Sequence, residues 1–349
     1  MKLLITFLSI SGIALVAGLY TQTPVSTLSF GTYDVFVDTS EVSDILAAKQ
    51  SVQFVGDVML ARRVETYLDS YGSSYVYSQL PPLASTTFLV GNFEAAVPVD
   101  HVQTPELAFN FSVDQQHIRA LQEYGFSHMS LANNHAYDSG FNGFTNTVSA
   151  LETSGLIPLG SPDSLGTTSV SYIELEEAVI GLVAVYAMVA EPDMILLEET
   201  LLEMNTQSDL QVVYIHWGTE YKPTHSKFQQ ELAYRMVDMG ADAIMGHHPH
   251  VVQDIEVYNN ALIFYSLGNF IFDQFFSKEV QEGLAVELSY SEYGLQYKLT
   301  GVTSIGSQSV PRHMAQHEQG LFLKDLAKKS SQELREMITE GLIKMEEIE

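Results

Sequence analysis

The sequence predicts a layered α/β domain, and three observations carry that prediction. Five apolar runs are near-continuous: Val52-Gln53-Phe54-Val55, Phe88-Leu89-Val90, Met129-Ser130-Leu131-Ala132, Val212-Val213-Tyr214-Ile215 and Leu262-Ile263-Phe264-Tyr265. Such runs suit strands buried on both faces. Helix-like segments lie between them, as at 114–124 and at 228–239, where Leu232, Met236 and Met239 recur at helical spacing. Each run also ends in Asp, Glu, Asn or His, as expected where strand ends open onto a ligand crevice. A chain of 349 residues, 46% of them apolar, can bury one large domain plus a short tail. Residues 53–299 contain neither a repeat nor a Gly/Ser- or Pro-rich linker.

Taken in order, the chain starts with Met1-Lys2 and then eighteen uncharged residues, 3–20. That is a signal-peptide core or a marginal membrane span. The stretch is long for a signal, and Val16-Ala17-Gly18 makes a weak cleavage site. An uncleaved anchor over residues 1–22 is therefore expected, with a secreted product as the alternative. Lys2 on the cytoplasmic side would put the domain outside a single-pass anchor. Residues 23–49 read as a stalk, 50–305 as the domain and 306–349 as a helical tail. In that tail Leu321, Leu323, Leu326, Leu334, Met337, Leu342 and Met345 form a loose stripe. It serves either packing onto the domain or a partner contact.

Within the domain, the first strand runs into Gly56-Asp57, the second into Gly91-Asn92-Phe93-Glu94, and the third into Asn133-Asn134-His135 with Asp138 beyond. The fourth leads to His216-Trp217-Gly218 and Glu220-Tyr221, and the last to Ser266-Leu267-Gly268-Asn269. The run Gly246-His247-His248-Pro249-His250 follows a further apolar segment. In extended chain His248 and His250 share a side, and His247 faces the other way. Neutral imidazole is the commonest metal ligand, whereas a loop held by unrelated hydrogen bonds is the plainer reading. Without cysteine a thiolate zinc site is excluded, and the mixed imidazole, carboxylate and amide donors suit Mn²⁺, Fe²⁺, Zn²⁺ or Co²⁺. Asp57 or Glu94 could bridge two ions about 3.5–4 Å apart and so activate water.

Other roles compete at several positions. Asp57 could cap the following helix, and Asp138 is expected to cap one starting near Gly140. Arg62 is either a solvated helix residue or a fork for an anionic substrate. Glu220 and Tyr221 line the cleft or support His216. Asn133 and Asn269 complete the candidates for substrate contact. Trp217 is expected to pack, and His225 to lie on the surface.

The ordered motifs Gly56-Asp57-Val58-Met59-Leu60, Gly91-Asn92-Phe93-Glu94, Ala132-Asn133-Asn134-His135, His216-Trp217-Gly218-Thr219-Glu220-Tyr221, His248-Pro249-His250-Val251-Val252-Gln253 and Tyr265-Ser266-Leu267-Gly268-Asn269-Phe270 carry a resemblance. Over residues 53–299 the chain resembles the CapA (PgsA-like) family of capsule and poly-gamma-glutamate synthesis proteins, itself similar to calcineurin-like metallophosphoesterases. The resemblance implies two mixed sheets packed face to face with helices outside. It implies a ligand set of Asp57, Glu94, Asn134, His216, His248 and His250 for one or two divalent ions. Asp57 and His135 would be catalytic, with His135 as acid to the leaving group. Met59 stands where those phosphoesterases have a ligand His, which implies a weakened half-site.

The implied function is synthesis or export of a capsule polymer outside the membrane, with a metal-dependent hydrolase-type site directed at a phosphate ester or an amide. A non-catalytic metal- and polymer-binding subunit of a membrane synthase complex is one alternative. A phosphoesterase for a small exported substrate is another. The net charge, 16 − 43 = −27, argues against nucleic acid as a partner. It would also repel a polyanionic polymer unless metal and Arg62 offset it locally; adaptation to salt would explain the acidity without a substrate.

Overall fold

The computed structural model describes residues 25–30, 33–38, 50–291 and 294–345. The expected anchor, residues 1–22, lies outside the described residues, as does most of the expected stalk. Within the stalk segment, β1 (Val25–Phe30) and β2 (Tyr33–Asp38) pair antiparallel, with Phe30 opposite Tyr33. Among the described residues no helix is long and apolar enough to cross a membrane.

The main body runs β3 (Ser51–Val58), α1 (Arg62–Tyr71), β4 (Thr87–Phe93), α2 (Arg119–Tyr124), β5 (Phe126–Ser130), α3 (Gly140–Thr153) and β6 (Ile157–Leu159). It continues through β7 (Val170–Glu174), β8 (Val179–Ala187), α4 (Met194–Met204), β9 (Leu210–Trp217), α5 (Lys227–Asp238) and β10 (Ala243–His247). Then come β11 (Ile255–Tyr258), β12 (Ala261–Phe264), β13 (Asn269–Ile271), β14 (Glu282–Ser291), β15 (Gly294–Thr303) and β16 (Arg312–His313). It closes with α6 (Gln316–Lys329), α7 (Arg335–Glu340) and β17 (Leu342–Met345).

Two mixed sheets result. One has the order β11-β12-β10-β9-β8-β7, with β8, β9, β10 and β12 parallel. The other has the order β16-β15-β14-β3-β4-β5-β6, with β3 to β6 parallel; β13 also pairs with β3 and β17 with β15. Val52, Phe54 and Val90 of the second sheet meet Leu182, Val212, Tyr214 and Met245 of the first in one apolar cluster. A second cluster joins the outer face of β3–β5 to Val64, Leu68, Leu121 and Leu151 of the helices α1–α3. A third joins β8–β10 to Leu197, Leu201, Leu232 and Met236 of α4 and α5. The layers are therefore helix, sheet, sheet, helix, as strands apolar on both faces require.

Local chemistry fits this plan. Asp193 caps α4 by accepting from Ile195 N and Leu196 N at 3.1 Å. Ser226 and Gln229 form a reciprocal capping box at the start of α5. Gly56 is set by close approach: Asp57 N donates to Gly268 O at 2.9 Å, and a Cβ on Gly56 would lie 2.0 Å from that oxygen. The C-terminal segment folds onto the body, with Phe322, Leu323, Leu326, Leu334, Ile338 and Ile343 in the intersheet cluster.

Candidate metal centre

The carboxyl ends of the parallel strands in both sheets meet at one rim. Asp57 lies near the end of β3, Asn92 near the end of β4 with Glu94 just beyond it, and Asn133, Asn134 and His135 follow β5. From the other sheet, His216 ends β9 and His247 ends β10, and the turn after β10 carries His248 and His250. β9 and β10 pair in parallel with His216 beside His247.

Asp57 is fully buried at the middle of this rim. Its Oδ1 accepts from Asn92 Nδ2 at 2.9 Å and lies 3.1 Å from His247 Nδ1. Its Oδ2 lies 3.2 Å from His250 Nδ1 and accepts from His248 N at 3.4 Å. Burial pushes this carboxyl up, but His247 and His250 outweigh burial and hold it well below the usual carboxylate range. Glu94 goes the opposite way. Burial is the chief cause of its rise well above that range; His250 counteracts it, while Asp57, Glu220 and Asp138 add to it.

The imidazoles divide similarly. Burial and the neighbouring His248 hold His216 well below its ordinary value. Burial and His250 push His248 down to about 3. Both are thus neutral, the form that binds metal. Burial also opposes charge on His250, but Glu94 and Asp57 prevail and raise it to about 9.

Among the described residues, two groups could hold an ion. Asp57, Glu94 and His216 each offer a ligand atom within 4.8 Å of the others, as do Glu220, His248 and His250. The groups adjoin: the His216 and His248 rings are 4.9 Å apart, and Glu94 Oε1 is 3.7 Å from His250 Nε2. Asn134 Oδ1 lies 2.7 Å from His216 Nε2. Among the described residues, Glu94 Oε1 and His248 Nδ1 are buried without hydrogen-bond partners. Buried polar atoms are seldom left so, and a cation supplies what both lack. His250 keeps Nδ1 at 3.0 Å from Asn269 Oδ1, the kind of outer contact that orients a ligand ring. The residues present therefore fit a divalent cation.

Beside them, His135 Nδ1 is 2.7 Å from Asp138 Oδ2, and His135 Nε2 is 3.7 Å from Glu94 Oε1. Phe111 stacks on the His135 ring at 4.0 Å.

The six residues expected as ligands thus come together, with Glu220 as a seventh. Several other positions differ from expectation. His248 and His250 do not share a side of an extended strand; their φ values are 95° and 56°, so the turn that presents them is left-handed at both positions. Asp138 does not cap α3, whose N-cap is Ser139; its carboxylate is engaged by His135 and by Phe111 N. Asn133 is fully buried and donates to Asn92 Oδ1 and Phe93 O while accepting from His135 N, so it braces the loop instead of meeting a substrate. Asn269 is likewise buried, between His250 and Val280 O. Arg62 does not reach out to an anion: it forms a buried ion pair with Asp273 and lies over Phe111, 4.5 Å from the ring centroid. Met59 is fully buried among the apolar residues facing the helices, its sulfur accepting from Ala61 N at 3.0 Å. His225 is not a free surface residue; its Nδ1 is 2.7 Å from Asp254 Oδ2. Trp217 packs as expected and donates to Tyr265 O at 2.9 Å.

Sequence reasoning assigned no role to Asn92, and it expected His247 to support the site or lie on the surface instead of acting as a ligand; its contact with Asp57 is the supporting one. Asn92 Nδ2 donates to Asp57 and lies 3.4 Å from Glu94 Oε2 and 3.3 Å from His216 Nδ1. Its two-residue spacing from Glu94 was a readable sign of a shared face.

Residues 51–274 match the family described as bacterial capsule synthesis protein PGA_cap. The chain is 34% identical over 248 residues to the capsule biosynthesis protein CapA of Bacillus anthracis, covering 65% of this chain and 60% of that protein. It is 29% identical over 301 residues to the PGA biosynthesis protein CapA of Bacillus subtilis strain 168, covering 80% of this chain and 78% of that one. Among solved structures, it is similar to a novel phosphatase from Mycoplasma pneumoniae at 14% identity and a TM-score of 0.43, covering 77% of this chain and 94% of that one. The histidine-and-carboxylate rim falls inside the matched residues, and the chain belongs to the bacterial capsule synthesis protein PGA_cap family.

Proposed function

We propose that this chain is a divalent-metal-dependent hydrolase-type protein that acts on a capsule polymer at the outer face of the membrane; the Bacillus subtilis relative is named for PGA biosynthesis, and we take the polymer to be poly-gamma-glutamate. The observation that carries this reading is the His135–Asp138 pair beside Glu94. A site that only binds metal and polymer needs no oriented proton donor; one that breaks a bond does.

Asp57, Glu94, Asn134, His216, Glu220, His248 and His250 would hold one or two ions. When bound, the metal supplies Lewis acidity and lowers the pKa of water. Asp138 would accept a hydrogen bond from His135 Nδ1–H and fix the ring. As the imidazolium, with Nδ1–H held by Asp138, His135 would pass its Nε2 proton to the leaving oxygen or nitrogen and be left as the neutral ring. Phe111 against His135 and Phe272 against His250 keep water off one side of both rings. Residues 1–22 would anchor the chain, with synthase subunits as membrane neighbours.

Met59 favours a second reading, an accessory subunit without turnover, because it lies in the apolar core and adds no ligand. The full chain should be purified, its metal measured by elemental analysis, and a phosphodiester, a phosphomonoester and γ-linked glutamate peptides offered with Mn²⁺. Turnover of the peptides that disappears in H135A supports the polymer hydrolase. Turnover of the phosphate esters alone makes it a phosphoesterase. Bound metal without turnover leaves the accessory role.

A further inference from the structure

Next to the metal centre is a cavity of about 340 Å³ whose walls include Arg63, Leu107, Phe109, Tyr221 and Phe276. Two of its lining residues, Tyr221 and Arg62, connect it to the centre. Tyr221 N donates to Pro249 O, between His248 and His250, at 2.8 Å. Arg62, also lining the cavity, lies over the Phe111 ring that stacks on His135.

Its two arginines are held differently. Arg62 and Asp273 are both buried, with side-chain exposures of 9% and 4%. Arg63 pairs with Glu106 at 2.7 Å in the open, with exposures of 37% and 61%. An exposed ion pair of this kind contributes little and forms against water, so its carboxylate can be exchanged for another. Leu107, Phe109 and Phe276 stand 89%, 85% and 66% exposed around the same cavity, so bare apolar surface lies beside an arginine.

We propose that Arg63 is a specificity-determining residue for a linear substrate with carboxylates on a methylene-containing backbone. The guanidinium takes a substrate carboxylate in the place of Glu106, as a two-pronged hydrogen-bond partner. The methylenes lie against Leu107, Phe109 and Phe276. In a chain with a net charge of −27, this is a local cation that an anionic chain can meet. The assignment rests on the reading of the adjacent centre as hydrolytic.

The test is binding of γ-linked triglutamate to the full chain by calorimetry, for wild type, R63Q and E106Q, with bound metal measured in each. R63Q should weaken binding roughly tenfold or more, and E106Q, freed of its internal competitor, should tighten it. Metal content should be the same in all three. Binding of R63Q within about twofold of wild type overturns the assignment, as does E106Q weakening binding like R63Q. Because binding is measured apart from turnover, loss of the hydrolytic reading shows separately, as bound triglutamate that H135A and wild type alike leave intact.

Discussion

His135 and Asp138 lie three residues apart, and their Nδ1 and Oδ2 atoms are 2.7 Å apart. The same carboxylate receives Phe111 N, so one acid fixes both the imidazole and the aromatic ring stacked on it. H135Q should keep its metal and lose roughly 10²–10⁴-fold in turnover of the best substrate. D138N should lower turnover less, with metal unchanged. Elemental analysis beside initial rates separates these outcomes from ligand loss, and full activity in H135Q would remove the proton-donor role.

His216 should behave otherwise, because its ring belongs to the Asp57–Glu94 group. H216A should purify with less metal than wild type. Chelation should lower the melting temperature of wild type, and Mn²⁺ should restore it, since a ligand present at about 100 times its Kd adds about 2.7 kcal/mol. Differential scanning calorimetry with and without chelator checks this; equal melting temperatures would mean that no ion stabilises the fold.

Arg62 is expected to matter for stability. Removing one partner of a buried ion pair leaves the other charge uncompensated, at a cost of roughly 3–5 kcal/mol. R62M should show a loss of that order in urea titration, and R62M/D273L should recover much of it. A fully stable R62M with impaired substrate binding would return Arg62 to the anion-binding role.

Glu65 provides a pH signature away from the metal centre. Its Oε1 accepts from Asp114 N and lies 2.8 Å from His101 Nε2. Burial, opposed by that N–H and reinforced by Asp69 and Asp114, raises its pKa from the ordinary 4.5 to about 7. The folded state therefore holds this proton more tightly than the unfolded chain. The stability involved is complete below pH 4.5 and is lost as pH rises through about 7. Between pH 4.5 and 8, wild type should lose on the order of 1–3 kcal/mol more than E65Q. Parallel urea titrations across that range measure it, and parallel pH profiles would refute it.

Gly246 tests the tightness of the rim. A Cβ there would lie 2.1 Å from Tyr265 O. G246A should lose roughly 1–3 kcal/mol or more, since backbone cannot yield cheaply. Its metal content should fall as well, because His247 and His248 follow directly. Thermal melting and elemental analysis of the same sample check both.

What could be read from the sequence follows from what is local. Asp57, Glu94, His216 and Asn134 were visible because each follows an apolar run, and a strand's burial is written in the strand itself. The layered α/β plan was visible for the same reason. The approach of His247 to Asp57 was not, since the two are 190 residues apart and meet only where the sheets face each other. Asp138 could have capped α3 or held His135; the position of Phe111 decides, and Phe111 arrives from a separate loop. Arg62 and Arg63 are adjacent and chemically alike, so only the burial of Asp273 and the exposure of Glu106 tell them apart.

The two ion-holding groups differ in origin. Glu220, His248 and His250 all follow strands of one sheet, so residues between β9 and the turn after β10 supply every member. Asp57 and Glu94 come from the other sheet and find His216 only once the two sheets have closed on each other. One position is thus a property of a single subassembly, while the other registers completion of the whole. An ion entering the second position would lock the two halves of the molecule together, and partial unfolding that parts the sheets would release it first.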